Sequence, residues 1–397
     1  MKYVTAAAGR RDNYQVPIAL VETGLLARHV TDAYAPDFLV PMLEVCGSFG
    51  EKVLRRHHSQ LPSRLVHPSR RLAIRKALSA IPPLRNRFCG DQDPISWSAL
   101  AQAQRHDAGL MLYAGYGYKA FTAEQKSARR RILVQYHPHI RDSAAILRDD
   151  VKRYPFLNAA VEQLKRDEMD KTNLPEMEIA DLIVCNSSFT AATCESLGID
   201  PQKLVVIPYG IDPSPPLESE QGRASKCSFL FVGSGVHRKG LHHLLLAWKQ
   251  AALKSSTLTI VSRWIDPDIR KAIDPGPGVI WKTSVDNDEL DRLYWDSSVF
   301  VLPSLIEGFG YVYLEAMSRG CFCIGTSNTG LPDIGSERSR RIFPAASVDA
   351  LASSLKEAED LYFTGKLIRC QIMKDTLSLD WNSYRASISN SVLSLES

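Results

Sequence analysis

"VFVLPSLIEGFGYVYLEAMSRG", residues 299–320, changes character twice in quick succession. The β-branched apolar run Val299–Leu302 stops at Pro303 and Ser304. The turn "EGFG", Glu307 to Gly310, follows, and a helical pattern opens at about Tyr311. Strand, glycine turn and helix in that order are the building unit of a parallel sheet covered by helices. The same stretch sets Glu307 before the turn and Glu315 inside the helix. Such a pair suits acid/base chemistry, metal binding or recognition of sugar hydroxyls, and its spacing alone selects none of them.

Outward from this unit the pattern repeats. "KYVTAAAG" precedes the amphipathic "VPIALVETGLLARHVTDAY"; "RILVQYHPH" precedes "SAAILRDDVKRY"; "DLIVCNSS" precedes "FTAATCESLG". "SFLFVGSG" then leads into "LHHLLLAWKQAALK", and "LTIVS" into "DIRKAI", with "CFCIGTS" closing the series. Two such series are divided near "VIPYGIDPSPPLESEQGRASK", whose Pro/Ser/Gly/Glu-rich part around 208–226 reads as a linker. The fold class is α/β: two doubly wound domains facing one another, with ligands expected outside the carboxyl ends of the strands.

At 397 residues the chain is long enough for two cores. With 45% hydrophobic and 23% charged residues it is neither disordered nor fibrous. It holds no apolar run long enough to cross a bilayer. The N-terminus reads as a first strand rather than a signal peptide, and the eight scattered cysteines include no CxxC pair. Cys321 and Cys323 read as small core residues in a reduced, cytoplasmic protein. The net charge of +4 hides an asymmetry: residues 1–150 carry 22 Lys/Arg against 13 Asp/Glu. Much of that surplus lies from Lys52 to Arg87, interleaved with leucine. Such a stretch suits an anionic membrane surface, a phosphorylated acceptor or plain solvation. Few aromatics accompany it, which argues against nucleic acid.

Three groups of residues carry candidate chemistry. In "FVGSGVHRKGLHHLLLAW" the glycines Gly233 and Gly235 permit close backbone approach, and Arg238 and Lys239 supply cations beside a helix start. That combination cradles a diphosphate, although the P-loop order is absent and a glycine turn is common in any α/β fold. Glu307 is expected at the cleft mouth, able to accept hydrogen bonds from vicinal hydroxyls, with the N–H groups of Phe309, Gly310 and Tyr311 pointing the same way. Glu315 is set back, where it could take both hydroxyls of a ribose. The triplets "DQD" (91–93), "DPD" (266–268) and "DND" (286–288) look like metal motifs. They sit among turn formers, and the last two are expected to cap helices, so no metal is expected.

"LYWDSSVFVLPSLIEGFGYVYLEAMSRGCFCIGTSNTGLPDI" resembles the donor-binding signature of family 4 glycosyltransferases of the GT-B fold. "ADLIVCNSSFTAATCESLGIDPQKLVVIPYGID" resembles the end of their N-terminal domain. The likeness is specific from about 180 to 335 and loose before 130. It implies an acceptor-binding domain 1–208, a donor-binding domain 209–379, and a last helix, 380–397, that crosses back onto the first domain. It implies Glu307 on the donor sugar, Glu315 on the ribose, Lys239 on the diphosphate, and a histidine near the transferred sugar. For that histidine His137 is the better candidate and His139 the runner-up. It also puts Lys282 to Val285, Thr283 among them, at the nucleobase. Where the family usually has an arginine, this chain has Ser234: either Arg238 or His237 supplies the second cation, or the diphosphate is held less tightly, or activity has been lost.

The function this resemblance implies is retaining, metal-independent transfer of a hexose-type sugar from a UDP- or GDP-linked donor, without a cofactor. The acceptor would be a hydroxyl of a glycan or lipid-linked glycan, as in cell-surface polysaccharide biosynthesis. A cytoplasmic protein with peripheral contact at the inner membrane face is expected. The alternatives are a nucleotide-sugar epimerase of the same fold, or a non-catalytic binder of sugar nucleotides.

Overall fold

A computed structural model of the chain describes residues 1–69, 72, 74, 78, 93–157, 173–213 and 225–396. Among these residues every strand pairing is parallel. The first sheet has the order β3-β2-β1-β4-β5-β6-β7. Its strands are β1 Tyr3–Ala6, β2 Leu26–Thr31, β3 Val66–Pro68, β4 Gly109–Tyr113, β5 Arg131–Gln135, β6 Leu182–Cys185 and β7 Leu204–Val206. The second sheet has the order β10-β9-β8-β11-β12-β13. It is built from β8 Cys227–Val232, β9 Ser256–Val261, β10 Val279–Lys282, β11 Val299–Leu302, β12 Phe322–Thr326 and β13 Arg340–Phe343. The helices that shape the cleft are α1 (Gln15–Glu22), α2 (Ile140–Arg153), α3 (Ser188–Glu195), α4 (Leu241–Ala251), α5 (Val312–Ser318) and α6 (Trp381–Ser394).

The second sheet shows why these residues make these elements. Burying a Val, Leu or Ile side chain is worth roughly 1.5–3 kcal/mol, and all four residues of β11 and all five of β12 are buried. Such strands have no polar face to offer water, so helices must cover both sides. Both sheets reverse their winding once, between β1 and β4 and between β8 and β11. Loops leaving adjacent strands at these points diverge to opposite faces and open a crevice at the carboxyl ends. Residues 7–14 and 233–240 therefore start one wall of each crevice, and residues 303–310 close the second.

"VPIALVETGLLARHVTDAY" does not form the single amphipathic element its pattern suggests. It divides into α1 and β2, separated at Gly24, which takes φ +70. β2 lies between β1 and β3, so His29 and Thr31 are buried within the sheet rather than displayed on a helix.

The end of the chain returns to the beginning. Arg385 of α6 donates to Glu22 at 2.8 Å and to Gln15 at 2.7 Å, and Ser389 donates to the Ala19 carbonyl at 3.1 Å. Trp381, Tyr384, Ile388 and Val392 join the core of the first sheet. Among the described residues no helix is long and apolar enough to cross a membrane. Cys321 and Cys323 are fully buried. Arg70, Arg71, Arg75, Lys76, Arg85 and Arg87 of the basic stretch, and Asp91 of the first aspartate triplet, lie outside the described residues.

Candidate active site

Glu307 leaves β11 through Pro303 and Ser304 and enters the crevice of the second sheet. Its carboxylate pairs with the Lys239 ammonium and accepts from Arg238 at 3.1 Å. The Glu307 and Lys239 side chains are only 11% and 14% exposed, whereas Arg238 is 46% exposed. Burial pushes the Glu307 carboxyl up, but Lys239 and then Arg238 outweigh it and hold the group below its ordinary range. Burial pulls Lys239 down, with Glu307 opposing. Lys239 uses one of its three N–H donors on Glu307, so a second anion can share the same ammonium.

The cations reach Glu307 because of one glycine. His237–Lys239 form a single 3-10 turn that ends at Gly240, where φ is +67. A Cβ at Gly240 would stand 2.0 Å from the Pro303 carbonyl oxygen. The turn therefore lies flush against the strand end that delivers Glu307. Leu305 N–H seals the contact by donating to the Arg238 carbonyl at 2.9 Å. Of the two residues that could replace the missing arginine at Ser234, Arg238 stands at Glu307. His237 turns away, is 5% exposed and bonds Asp150.

The remaining donor-side residues divide. Gly235 is a packing glycine: its Cβ would meet Ile265 and Leu241 at 2.9 Å, and its N–H already donates to Ser262 and Trp264. Packing against Ile265 and Leu241 is thus enough to require a glycine at 235. Gly233 N–H donates to Val261, and Ser234 is exposed beside it. Tyr311 caps α5, while the N–H groups of Phe309, Gly310 and Tyr311 have no acceptor among the described residues. Glu315 lies in the first turn of α5 and accepts from the Tyr294 hydroxyl at 2.9 Å. Burial raises its pKa, with that hydrogen bond opposing. Thr283 is exposed just past β10, at the edge of the sheet and apart from the Glu307 cluster.

Across the cleft, His137 follows β5. The enclosing walls lower its pKa to about 4, burial first, with the Glu307 charge opposing. Its ring packs on Tyr136 with centroids 4.4 Å apart, and Arg11 lies over the other ring at 3.9 Å from the Tyr136 centroid. His139 is buried behind, its N–H donating to Thr193 at 3.1 Å, so only His137 of the two opens on the cleft. Asp12, Asn13 and Tyr14 all take positive φ, which tightens the loop after β1 and turns Arg11 inward. A polar cavity of about 300 Å³ adjoins this loop, lined among others by Asn13, His58, Asp212, Asp380 and Trp381.

Two features had no readable signal. Gly308 is where the domains meet: its Cβ would lie 2.1 Å from the Tyr136 carbonyl oxygen. Ser187 and Thr190, at the start of α3, both donate to the Gly308 carbonyl. Ser187 also caps α3, its side chain accepting from the Thr190 N–H. The second feature is Asp150, whose carboxylate meets His237, His242 and His243. Asp150, His237 and His242 are the group of described residues with carboxylate and imidazole atoms close enough to share a metal ion. Asp266 and Asp286 instead cap helices, accepting from the N–H groups of Asp268 and Glu289.

Two doubly wound sheets facing across a cleft, with the last helix crossing back, are the GT-B architecture. Solved structures agree over essentially the whole chain. Sucrose-phosphate synthase of Thermosynechococcus elongatus superposes with a TM-score of 0.63 at 16% identity, covering 100% of this chain and 99% of that one. Anabaena HepE in complex with UDP-glucose gives 0.59 at 14%, covering 99% and 100%. Residues 226–359 match the family model described as Glycosyl transferases group 1. A protein of the Klebsiella pneumoniae cps region is 28% identical over 40% of this chain and 46% of its own length. The MMP alpha-(1->4)-mannosyltransferase of Mycolicibacterium hassiacum is 27% identical over 45% of each. The Mycobacterium tuberculosis glycogen synthase is 30% identical over 38% of each. The chain thus matches a little under half the length of the first of these relatives.

Proposed function

We propose that this protein is a retaining glycosyltransferase that moves a hexose-type sugar from a UDP- or GDP-linked donor to a hydroxyl of a glycan or lipid-linked glycan. The observation that carries this reading is the buried Glu307 between Lys239 and Arg238, facing His137 across the cleft. In it, Lys239 and Arg238 take the departing diphosphate, where a fixed cation in a dry cleft acts without reorganisation. Glu307 orients the sugar hydroxyls and steadies the cation-like sugar. The acceptor hydroxyl attacks from the face the diphosphate leaves and gives its proton to a leaving oxygen. Glu315 and the N–H groups of residues 309–311 hold the ribose and phosphates, and Thr283 borders the base. The cavity beside Asn13 and Trp381 offers hydroxyl-binding side chains for the acceptor. The named relatives that transfer sugars, and the UDP-glucose complex of Anabaena HepE, support a nucleotide-sugar donor. Catalysis needs no metal in this scheme, and the enzyme works in the cytoplasm, touching the inner membrane face through its basic stretch.

The test is release of free nucleotide from a panel of UDP-, GDP- and ADP-sugars, with and without lipid-linked acceptors and with excess chelator. Acceptor-dependent release that survives the chelator is expected. Conversion of the donor to an epimer would favour the alternative enzyme, and absence of turnover with tight donor binding would favour the binder.

A further inference from the structure

Helix α2 belongs to the first sheet by connection and to the second by packing. It starts three residues after His137, and its buried face carries Ala144, Leu147, Asp150 and Val151. Ala144 and Leu147 pack on Leu305 and Ile306, the residues just before Glu307. Val151 and Tyr154 pack on the core of the second sheet. In the middle of that face sits Asp150, its side chain fully buried. One carboxylate oxygen meets Nε2 of His237 and of His242, each at 2.8 Å, and the other meets Nε2 of His243 at 2.7 Å. Tyr154 covers the cluster, its ring edge-on to His242 and His243 at 5.2 Å.

The cluster is a hydrogen-bonded knot rather than a set of metal ligands. The contacts of 2.7–2.8 Å are N–H···O lengths. The Nδ1 atoms of His242 and His243 are buried without a hydrogen-bond partner. An imidazole that ligates through Nε2 carries its proton on Nδ1 and needs an acceptor there; an imidazole that donates through Nε2 leaves Nδ1 bare, which costs less. Three N–H donors on one carboxylate also satisfy a buried charge that would otherwise be prohibitive.

His237 opens the turn that carries Arg238 and Lys239, and His242 and His243 lie in the first turn of α4, which that turn feeds. We infer that Asp150 is a positioning residue for the diphosphate: by fixing His237, His242 and His243 from a helix of the other sheet, it sets where Lys239 and Arg238 present their charges. The inference rests on the donor reading above. A loosened turn would have to be ordered again whenever a diphosphate binds, and that ordering subtracts from affinity.

The experiment measures UDP and GDP binding to the full chain by calorimetry, with unfolding temperature and metal content recorded for each variant. Asp150→Asn keeps the shape and one oxygen for two of the N–H groups, but its amide N–H group opposes the Nε2–H of His243 and breaks that bond, because the buried Nδ1 of His243 has no acceptor for a shifted proton. His237→Ala is the second variant, and His237→Gln restores an N–H donor. Expected are a loss of affinity of about tenfold or more in Asp150→Asn and His237→Ala, both folded, and recovery to within about threefold in His237→Gln. Folded Asp150→Asn or His237→Ala binding nucleotide like the natural chain would overturn the inference, leaving a purely structural knot. Stoichiometric metal that disappears in Asp150→Asn would overturn it in favour of a metal site. If the natural chain binds neither nucleotide while Lys239→Ala behaves identically, the donor reading itself fails, and the inference with it.

Discussion

Glu307 is held ionised by two cations and its side chain is only 11% exposed, so its charge is less screened than one in bulk water. Glu307→Gln keeps the size and the hydrogen bonds but removes the charge. Turnover should fall by about a hundredfold or more with the fold intact, because in the proposed reaction the lost interaction would strengthen in the transition state. Near-normal turnover in a folded Glu307→Gln would remove the central assignment. Glu315 has its carboxylate on Tyr294, and in the proposed reaction it would lie away from the reacting bond. Glu315→Ala should raise the donor KM much more than it lowers kcat, since a ribose contact is equally strong in ground and transition states. Steady-state kinetics on both variants separates the two roles.

At the level of elements, the candidate site is built from turns rather than strands. The turn after β11 meets the loop after β5 at Gly308, with Ser187 and Thr190 clasping its carbonyl and Asn186 donating to the Tyr136 carbonyl at 2.9 Å. In Gly308→Ala the new methyl would lie 2.1 Å from the Tyr136 oxygen, a backbone atom that cannot swing aside. The two walls must part by about an ångström, enough to cost on the order of a hundredfold in rate. Each sheet should stay folded, so unfolding temperature should change far less than turnover. Unchanged turnover would mean that the cleft works without this contact.

The whole molecule should be sensitive to acid. Burial holds His29 at about 3 and His242 at about 4, against an ordinary 6.5. Between those values and 6.5 the unfolded chain binds protons that the folded chain refuses, so stability falls as pH drops through that window. Asp150 adds to the effect lower down: its folded pKa is depressed, so its contribution is present above the ordinary carboxylate range and is lost below it. His242 faces Asp150, His237, His243 and Tyr154. Denaturant midpoints from pH 7 to 4 should decline, and less steeply in His242→Gln; a flat profile would refute this. If the proposed membrane contact is made, the basic stretch from Lys52 to Arg87 should bind anionic vesicles weakly at low salt, at roughly 1 kcal/mol per well-placed basic residue. Sedimentation of the natural chain with such vesicles, lost when Arg70, Arg71, Arg75 and Lys76 become Gln, is expected. If neither protein sediments, a soluble acceptor is the better reading.

Short apolar runs, most of them followed by a helical pattern, announced β1, β5, β6, β8, β9, β11 and β12, because strands buried on both faces must be apolar throughout. Two doubly wound domains followed from their alternation with helical stretches. The same logic hid β2, where His29 and Thr31 sit inside a sheet, and β13, whose Arg340 and Arg341 lie at an edge and read as surface. Glu307, Lys239 and Arg238 could be singled out because each lies in the segment between a strand and the helix that follows it, where a doubly wound sheet opens its crevice. Sequence could not choose between Arg238 and His237, nor see that Gly235 serves packing. Both depend on what lies across a contact: Pro303 against Gly240, Ile265 against Gly235. Asp150 was unreadable for the same reason. A carboxylate in "LRDDVKRY" has the pattern of a solvated helix face, and only the packing of that helix on the other sheet, 87 residues before His237 in sequence, turns it into a buried charge with three donors.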